Sequence, residues 1–272
     1  MKLGISFTMG FKGINTISDF LAFAYKKELA GVELVAEPPF CFIDNMNDKD
    51  VQDIKKQAAN FGLELSLHAT FSDVNISAYN PNVRNYFLNL MKQNIDFSQK
   101  IGSEIVTIHP GELSAAGASF PDDVKRLNFE SFQFLAKYAE KKFVKIGYEN
   151  MPIMTWSQME ESYTPILIQS IVDKINSKSL GITWDVGHSK TTEFSMEGFA
   201  NSFKGNFVHV HIHDNTGPGK GWVDKHLEIG KGTIDWSNLL GLIKKLDYRG
   251  VLIMELDNCS KIENSLEYLK NL

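Results

Sequence analysis

Residues 207–214 read FVHVHIHD, in which His209, His211 and His213 alternate with apolar residues. A period of two puts all three imidazoles on one face of a strand and Val208, Val210 and Ile212 on the other. The same kind of run recurs seven more times: KLGISF (2–7), GVELVAE (31–37), LELSLHA (63–69), EIVTIHP (104–110), VKIGYEN (144–150), LGITWDVG (180–187) and GVLIMELD (250–257). Longer segments with helical spacing separate them. In DVQDIKKQAANFG (50–62), Val51, Ile54, Ala58 and Phe61 fall on one helical face and Gly62 marks the stop. Thr164 before Pro165 predicts an N-cap with a first-turn proline, and Ser260 with Glu263 predicts a capping box opening the last helix.

Eight strand-then-helix units in about 250 residues, with no Pro/Ser-rich linker or charge block between them, predict an α/β fold: a closed (β/α)8 TIM barrel forming one domain over residues 1–272. The rival is a doubly wound open sheet. It expects a phosphate-cradling GxGxxG or GxxxxGK[ST] turn after its first strand, and neither is present.

Composition narrows the functional classes. Lys+Arg 28 against Asp+Glu 33 give a net charge of −5, without the basic footprint usual for a nucleic-acid binder. No apolar run approaches the roughly 20 residues that span a bilayer, and MKLGISFTMGFKG (1–13) does not read as a secretory leader, so a cytoplasmic protein without a membrane partner is expected. Cys41 and Cys259 form no CxxC pair, which argues against a disulfide framework and against thiolate ligation of a metal.

Barrel chemistry collects at the C-terminal ends of the strands. The third strand ends in His68, the fourth in His109, the fifth in Glu149 and the sixth in Asp185, with His188 just beyond; the loop after the seventh supplies Asp224 and His226, and the eighth ends in Glu255. An isolated buried carboxylate costs several kcal/mol unless paired, hydrogen-bonded or bound to a cation. Converging Glu149, Asp185 and Glu255 therefore predict a divalent metal, and imidazole with carboxylate suits Zn²⁺, Mn²⁺ or Fe²⁺ better than Mg²⁺ or Ca²⁺ alone. Glu149, Asp185, His211 and Glu255 would satisfy one ion. His68, His109, His188, Asp224 and His226 are more donors than that single ion can use.

These residues resemble the xylose-isomerase-like TIM-barrel superfamily, and the metal-site pattern is most similar to endonuclease IV, the apurinic-site phosphodiesterase. The resemblance runs over nearly the whole chain through LHATFSDVNIS (67–77), TIHPGE (107–112), YEN (148–150), WDVGHS (184–189), HVHIHD (209–214), VDKHLEIGKGTIDW (223–236) and MELD (254–257). It implies up to three zinc ions: His68 and His109 on the first, Glu149 bridging to a second held by Asp185, His211 and Glu255, and His188, Asp224 and His226 on the third. It also implies phosphoester hydrolysis with Glu255 orienting the attacking water, on a small phosphoester or abasic-site DNA.

The pattern departs from that nuclease where DNA would be gripped. ELVAEPPFCFID (33–44) and ELSAAGAS (112–119) contain no Arg, and the whole chain has only Arg84, Arg126 and Arg249, expected on helices or at the opposite rim. Lys220, Lys225 and Lys231 remain at the mouth. Duplex affinity rests largely on phosphate neutralisation, so weak DNA binding is expected. The other branch of the superfamily implies a sugar or sugar-phosphate isomerase or epimerase with one Mn²⁺, Mg²⁺ or Co²⁺. There Glu149 and Glu255 pass the proton of a keto sugar, and His188 holds a substrate hydroxyl. A metal-bound barrel that only senses a ligand is the non-enzymatic reading. No protein partner is predicted.

Minor features carry two readings each. GPGKG (217–221) and GKG (230–232) could cradle a phosphate but are expected to be mobile loops. Phe71 and Trp222 could stack on a substrate or anchor loops. His209 is expected to be structural, His213 to touch substrate or cap the loop, and Glu33 to accept a hydrogen bond at the site or serve the fold.

Overall fold

The computed structural model describes residues 1–153, 157–203, 205–219 and 223–272. Eight parallel strands, β1 (Lys2–Phe7), β2 (Gly31–Val35), β3 (Glu64–His68), β4 (Ile105–Ile108), β5 (Lys145–Glu149), β6 (Leu180–Asp185), β7 (Phe207–Ile212) and β8 (Val251–Met254), hydrogen-bond in chain order and close β8 onto β1. Around them run α1 (Ile17–Lys26), α2 (Asp48–Phe61), α3 (Pro81–Ile101), α4 (Pro121–Glu140), α5 (Pro165–Ile175), the short α6 (Val186–Lys190), α7 (Met196–Ser202), α8 (Trp236–Lys245) and α9 (Cys259–Lys270). The expected closed barrel is the fold. No helix among the described residues is long and apolar enough to cross a membrane.

Local chemistry sets the element ends. Asn47 opens α2 with a capping box: its Oδ1 accepts from the Lys49 and Asp50 amides at 2.9 and 3.1 Å, and Asp50 Oδ2 accepts the Asn47 amide at 3.0 Å. Gly62, at φ 67°, ends that helix in the left-handed region, as the sequence reading expects. Pro165 does open α5, although Thr164 at its N-cap makes no side-chain hydrogen bond. The last helix corrects the expectation of a Ser260 capping box. Asn258 is the cap, extended at φ −162° and accepting the Lys261 amide at 2.9 Å, while Ser260 already lies inside the helix, where its own amide sits in the first turn.

Strand alternation sorts the side chains into two layers. Outward residues such as Ile5, Phe7, Leu34, Leu67, Val106, Ile146, Ile182, Trp184, Val210 and Ile212 are buried in the apolar layer under the helices. Inward residues meet across the barrel between strands that are not neighbours: Glu33 of β2 with His209 and His211 of β7, and Thr107 of β4 with Thr183 of β6 at 2.9 Å. Gly147 makes that last contact possible, because a Cβ there would lie 1.9 Å from Thr183 Oγ1. The barrel interior is therefore polar toward one end, and every imidazole of the chain lies there or in the loops directly above it.

Candidate metal centre

His68, Glu149 and Asp185 are the last residues of β3, β5 and β6; His109 and Glu255 follow β4 and β8 by one residue. His188 is in α6, and His211 is the next-to-last residue of β7. Asp224 and His226 come from the long loop after β7, with His226 held at φ +41°, a backbone region that a non-glycine residue occupies at a cost. Three adjoining groups hold these residues, each with ligand atoms within 4.8 Å of one another: His68, His109 and Glu149; Glu149, Asp185, His211 and Glu255; and His188, Asp224 and His226 with His213 added; a fourth group, Glu33, His209 and His211, meets the same criterion. All nine residues singled out as ligands in the sequence fall into these groups.

Glu149 joins the first two groups through different oxygens. Its Oε2 lies 3.3 Å from His68 Nε2 and 2.9 Å from His109 Nε2, whereas its Oε1 lies 2.9 Å from His211 Nδ1. Glu255 Oε1 is 3.3 Å from the same His211 nitrogen, and its Oε2 is 3.8 Å from His226 Nδ1. At the outer end Asp224 Oδ2 stands 2.9 Å from His226 Nε2 and 3.4 Å from His188 Nε2.

The chemistry of the donors fits divalent cations. One ring nitrogen of four of the five imidazoles faces a fixed acceptor: His68 Nδ1 the Ala69 carbonyl (2.9 Å), His188 Nδ1 the Asn150 carbonyl (2.9 Å), His226 Nδ1 the Glu255 carbonyl (3.0 Å) and His211 Nε2 the Glu33 carboxylate (3.0 Å). With that nitrogen donating, the other nitrogen turns a lone pair toward the clusters, the arrangement that orients metal-ligating histidines. Asp185 Oδ2 and Asp224 Oδ1 are buried without any hydrogen-bond partner. Such oxygens are costly unless a cation meets them.

Proton equilibria follow from the same crowding. Burial opposes the charge on His68 and on His226, but the hydrogen bonds and charges of Glu149 and Asp224 respectively outweigh it and raise both to about 9. Burial also opposes protonation of His188 and His211, and is again overcome, by Asp185 and Asp224 for the former and by Glu255, Glu33 and Glu149 for the latter. His109 moves the other way, since burial outweighs the help of Glu149. Burial favours the neutral forms of Glu149, Asp185 and Asp224, yet the surrounding imidazoles lower all three.

Residues that the sequence reading passed over hold this centre in place. Asn150 accepts the Asp185 amide at 2.8 Å and returns a bond to the Asp185 carbonyl at 2.9 Å, fixing the end of β6. Glu37 Oε1 accepts the amides of Phe71 and Ser72 at 2.9 and 2.7 Å, so that the Phe71 ring, 5.1 and 5.0 Å from the rings of His68 and His109, covers the first group. Phe71 is thus anchored, while Trp222, Lys220 and part of the 217–221 glycine stretch lie outside the described residues. The 230–232 stretch is neither a phosphate cradle nor a free loop. It wraps Asp214, which accepts the Gly230 and Ile234 amides at 2.9 and 3.2 Å and Trp236 Nε1 at 2.9 Å; a Cβ at Gly232 would meet Asp214 Oδ1 at 2.1 Å.

His209, expected to be structural, lies 2.9 Å from Glu33. Glu33 also accepts the Ser66 hydroxyl at 3.1 Å, so it serves both the barrel and His211. The arginines lie as anticipated on helices and the opposite rim: Arg84 bonds the Ala78 carbonyl, Arg126 pairs with Asp123 and Glu130, and Arg249 pairs with Asp247.

A closed eight-stranded barrel with carboxylates and imidazoles gathered at its C-terminal mouth defines a class of TIM-barrel proteins whose strand ends carry the donors for a divalent ion. The chain belongs to the family described as xylose isomerase-like TIM barrel, whose pattern matches residues 21–272, and so to an enzyme superfamily. It is 32% identical over 229 residues to an uncharacterized protein of Methanocaldococcus jannaschii, covering 83% of this chain and 75% of that one. It is 23% identical over 240 residues to the probable endonuclease 4 of Thermoplasma acidophilum, covering 83% and 79%. A solved structure described as a D-tagatose 3-epimerase-like protein superposes with a TM-score of 0.86 at 28% identity, over 100% of this chain and 96% of that one. A D-psicose 3-epimerase solved in the presence of D-fructose gives 0.76 at 16% identity over 94% and 84%, a likeness of fold.

Proposed function

We propose that the chain is a multinuclear divalent-metal phosphoester hydrolase, with zinc the ion its donors suit. The observation that carries this reading is the division of Glu149, whose two oxygens face two different groups of imidazoles. A one-ion site needs only one of those sides. His68, His109 and Glu149 would hold one ion, Glu149, Asp185, His211 and Glu255 a second, and His188, Asp224 and His226 a third. Bound there, the ions supply Lewis acidity and a hydroxide nucleophile at neutral pH.

The chain's own groups do the rest. Glu255 stands between the second and third groups, where its carboxylate orients the attacking water and accepts its proton. Phe71 packs against the rings of His68 and His109 and keeps His68 away from solvent. His109, with 24% of its side chain exposed, marks the end at which a substrate oxygen can enter, and His226, 35% exposed, lies at the other end of the centre. Exposed Lys225 and Lys231 add positive charge to the loop after β7, but all three arginines are engaged elsewhere. That supply of cations suits a small phosphoester better than duplex DNA.

A second reading, a one-ion keto-sugar epimerase using Mn²⁺ or another divalent ion, is favoured by one feature. Glu149 and Glu255 face a single His211 nitrogen at 2.9 and 3.3 Å, the paired carboxylates that proton exchange at a sugar carbon needs. The likeness to the D-tagatose 3-epimerase-like structure points the same way.

Elemental analysis of protein purified without chelators, followed by assays on a small phosphodiester, abasic-site DNA and a keto sugar, separates the two. Close to three ions per chain, mainly zinc, with phosphoester cleavage is the expected result. Close to one ion with sugar interconversion overturns it in favour of the epimerase.

A further inference from the structure

The outer group contains a donor that the nine-residue pattern does not include. His213 follows β7 by one residue, is completely buried, and still obeys the alternation that turns His209 and His211 inward. Its Nδ1 faces the Asp214 carbonyl at a long 3.4 Å, and its Nε2 has no hydrogen-bond partner. That nitrogen lies 3.2 Å from Asp185 Oδ1, without the direction a hydrogen bond requires, and 3.9 Å from Asp224 Oδ1, itself unpartnered. The His213 ring stacks face to face on that of His226 at 3.9 Å between centroids and 8° between planes, so one of the two rings must turn for both to meet a single ion beside Asp224.

The chain makes room for this arrangement. Gly187 lies in α6 against the His213 ring, and a Cβ on it would come within 2.0 to 2.3 Å of three ring atoms. The glycine of WDVGHS thus has a physical reason: it admits the imidazole of HVHIHD. A buried imidazole nitrogen without a hydrogen bond, in a space cleared for its ring and near an unpartnered carboxylate oxygen, is a pair of groups that a shared cation would satisfy.

We propose that His213 is a metal ligand, completing His188, Asp224 and His226 as a four-donor pocket of three imidazoles and one carboxylate. This deepens the multi-ion reading and rests on it for the presence of an ion in this pocket. Four protein donors match the closed tetrahedral sites that zinc takes when its role is to be retained, whereas three leave a position open for substrate. The outer ion is then the most firmly held of the centre. Its imidazole-rich surroundings favour Zn²⁺ or Co²⁺ over Mn²⁺ and Mg²⁺, in contrast to the carboxylate-rich group of Glu149, Asp185, His211 and Glu255.

The test loads ion-free full-length protein with Co²⁺ and follows stoichiometry together with visible absorption. Wild-type protein is expected to take its first equivalent with the intense bands of tetrahedral cobalt, and His213→Ala to lose those bands and bind that equivalent at least tenfold more weakly, with the remaining ions unchanged. Gly187→Ala, which displaces the ring without removing it, should give the same spectrum as His213→Ala. Only weak, octahedral-type absorption from the wild-type protein overturns the proposal without recourse to any variant, as does a His213→Ala protein with unaltered spectrum and affinity. One tetrahedral ion lost on His213→Ala in a protein that never binds three would sustain the ligand while removing the three-ion hydrolase.

Discussion

Glu33 Oε1 lies 3.0 Å from His211 Nε2, inside the barrel and on the side of the ring away from Glu149. With an ion bound, the Glu33 carboxylate would hold the His211 proton on Nε2 and leave Nδ1 free for the ion beside Glu149, Asp185 and Glu255. Replacement by Gln keeps the shape but removes the charge. Glu33→Gln should weaken the ion on His211 by about 10–100-fold and leave the other groups' affinities unchanged. Calorimetric titration of ion-free protein measures this, and equal affinities in the two proteins would show that Glu33 serves the barrel alone.

The histidines predict a proton balance. His68 and His226 have pKa values of about 9 in the ion-free protein, above the ordinary 6.5. Because the folded value is the higher one, the stabilisation they give the ion-free fold is complete below about pH 6.5 and is lost as the pH rises through 9. A metal needs the same nitrogens unprotonated, so its binding releases protons at neutral pH and tightens as the pH rises. Titrations at pH 7 in buffers of different ionisation enthalpy should show net proton release; heats independent of the buffer would refute it. The melting temperature of the ion-free protein should fall between pH 6.5 and 9, more steeply than that of the loaded protein.

His109 and His226 sit at opposite ends of the centre. Under the hydrolase reading, alanine at either position should remove one ion per chain and lower phosphoester cleavage by at least 100-fold, on the order of 3 kcal/mol in transition-state stabilisation. Under the epimerase reading both lie beyond the four-donor group and sugar interconversion should persist. Metal content and both activities, measured on the same preparations, decide between them.

Asp214 sets the stability of the loop that carries Asp224 and His226. Asp214→Ala would strand the Gly230 and Ile234 amides and the Trp236 indole, a loss of at least about 3 kcal/mol from donors left unmade at about 1–3 kcal/mol each. Denaturant unfolding of ion-free protein reports the change. A loss under about 1 kcal/mol would mean that the loop re-satisfies these donors with water.

The barrel and its donors could be read from the chain because both depend on short-range regularities. Strand periodicity decided which face His209 and His211 share, and the position of polar residues at strand ends brought His68, Glu149 and Asp185 to one mouth. Contacts distant in sequence were not legible in this way. Gly111 of TIHPGE is required because a Cβ would lie 2.1 Å from Ser77 Oγ, and Gly232 because of Asp214; neither neighbour has a fixed spacing from its glycine. Asn150 and Glu37 look like ordinary polar residues until the fold presents them with the backbone of another strand or loop. The cap of the last helix was misplaced by two residues because Asn258 and Ser260 are both good caps, and only the extended backbone at Asn258 chooses between them.

The contact between Gly187 and His213 turns one residue's size into information about another. A related chain with alanine or anything larger at the first position has no space for an imidazole at the second, whereas the reverse constraint is absent. Position 187 can therefore be read, in sequences without structures, as a permissive switch: glycine leaves room for the imidazole at 213 beside Asp224, and a side chain there pushes that ring away.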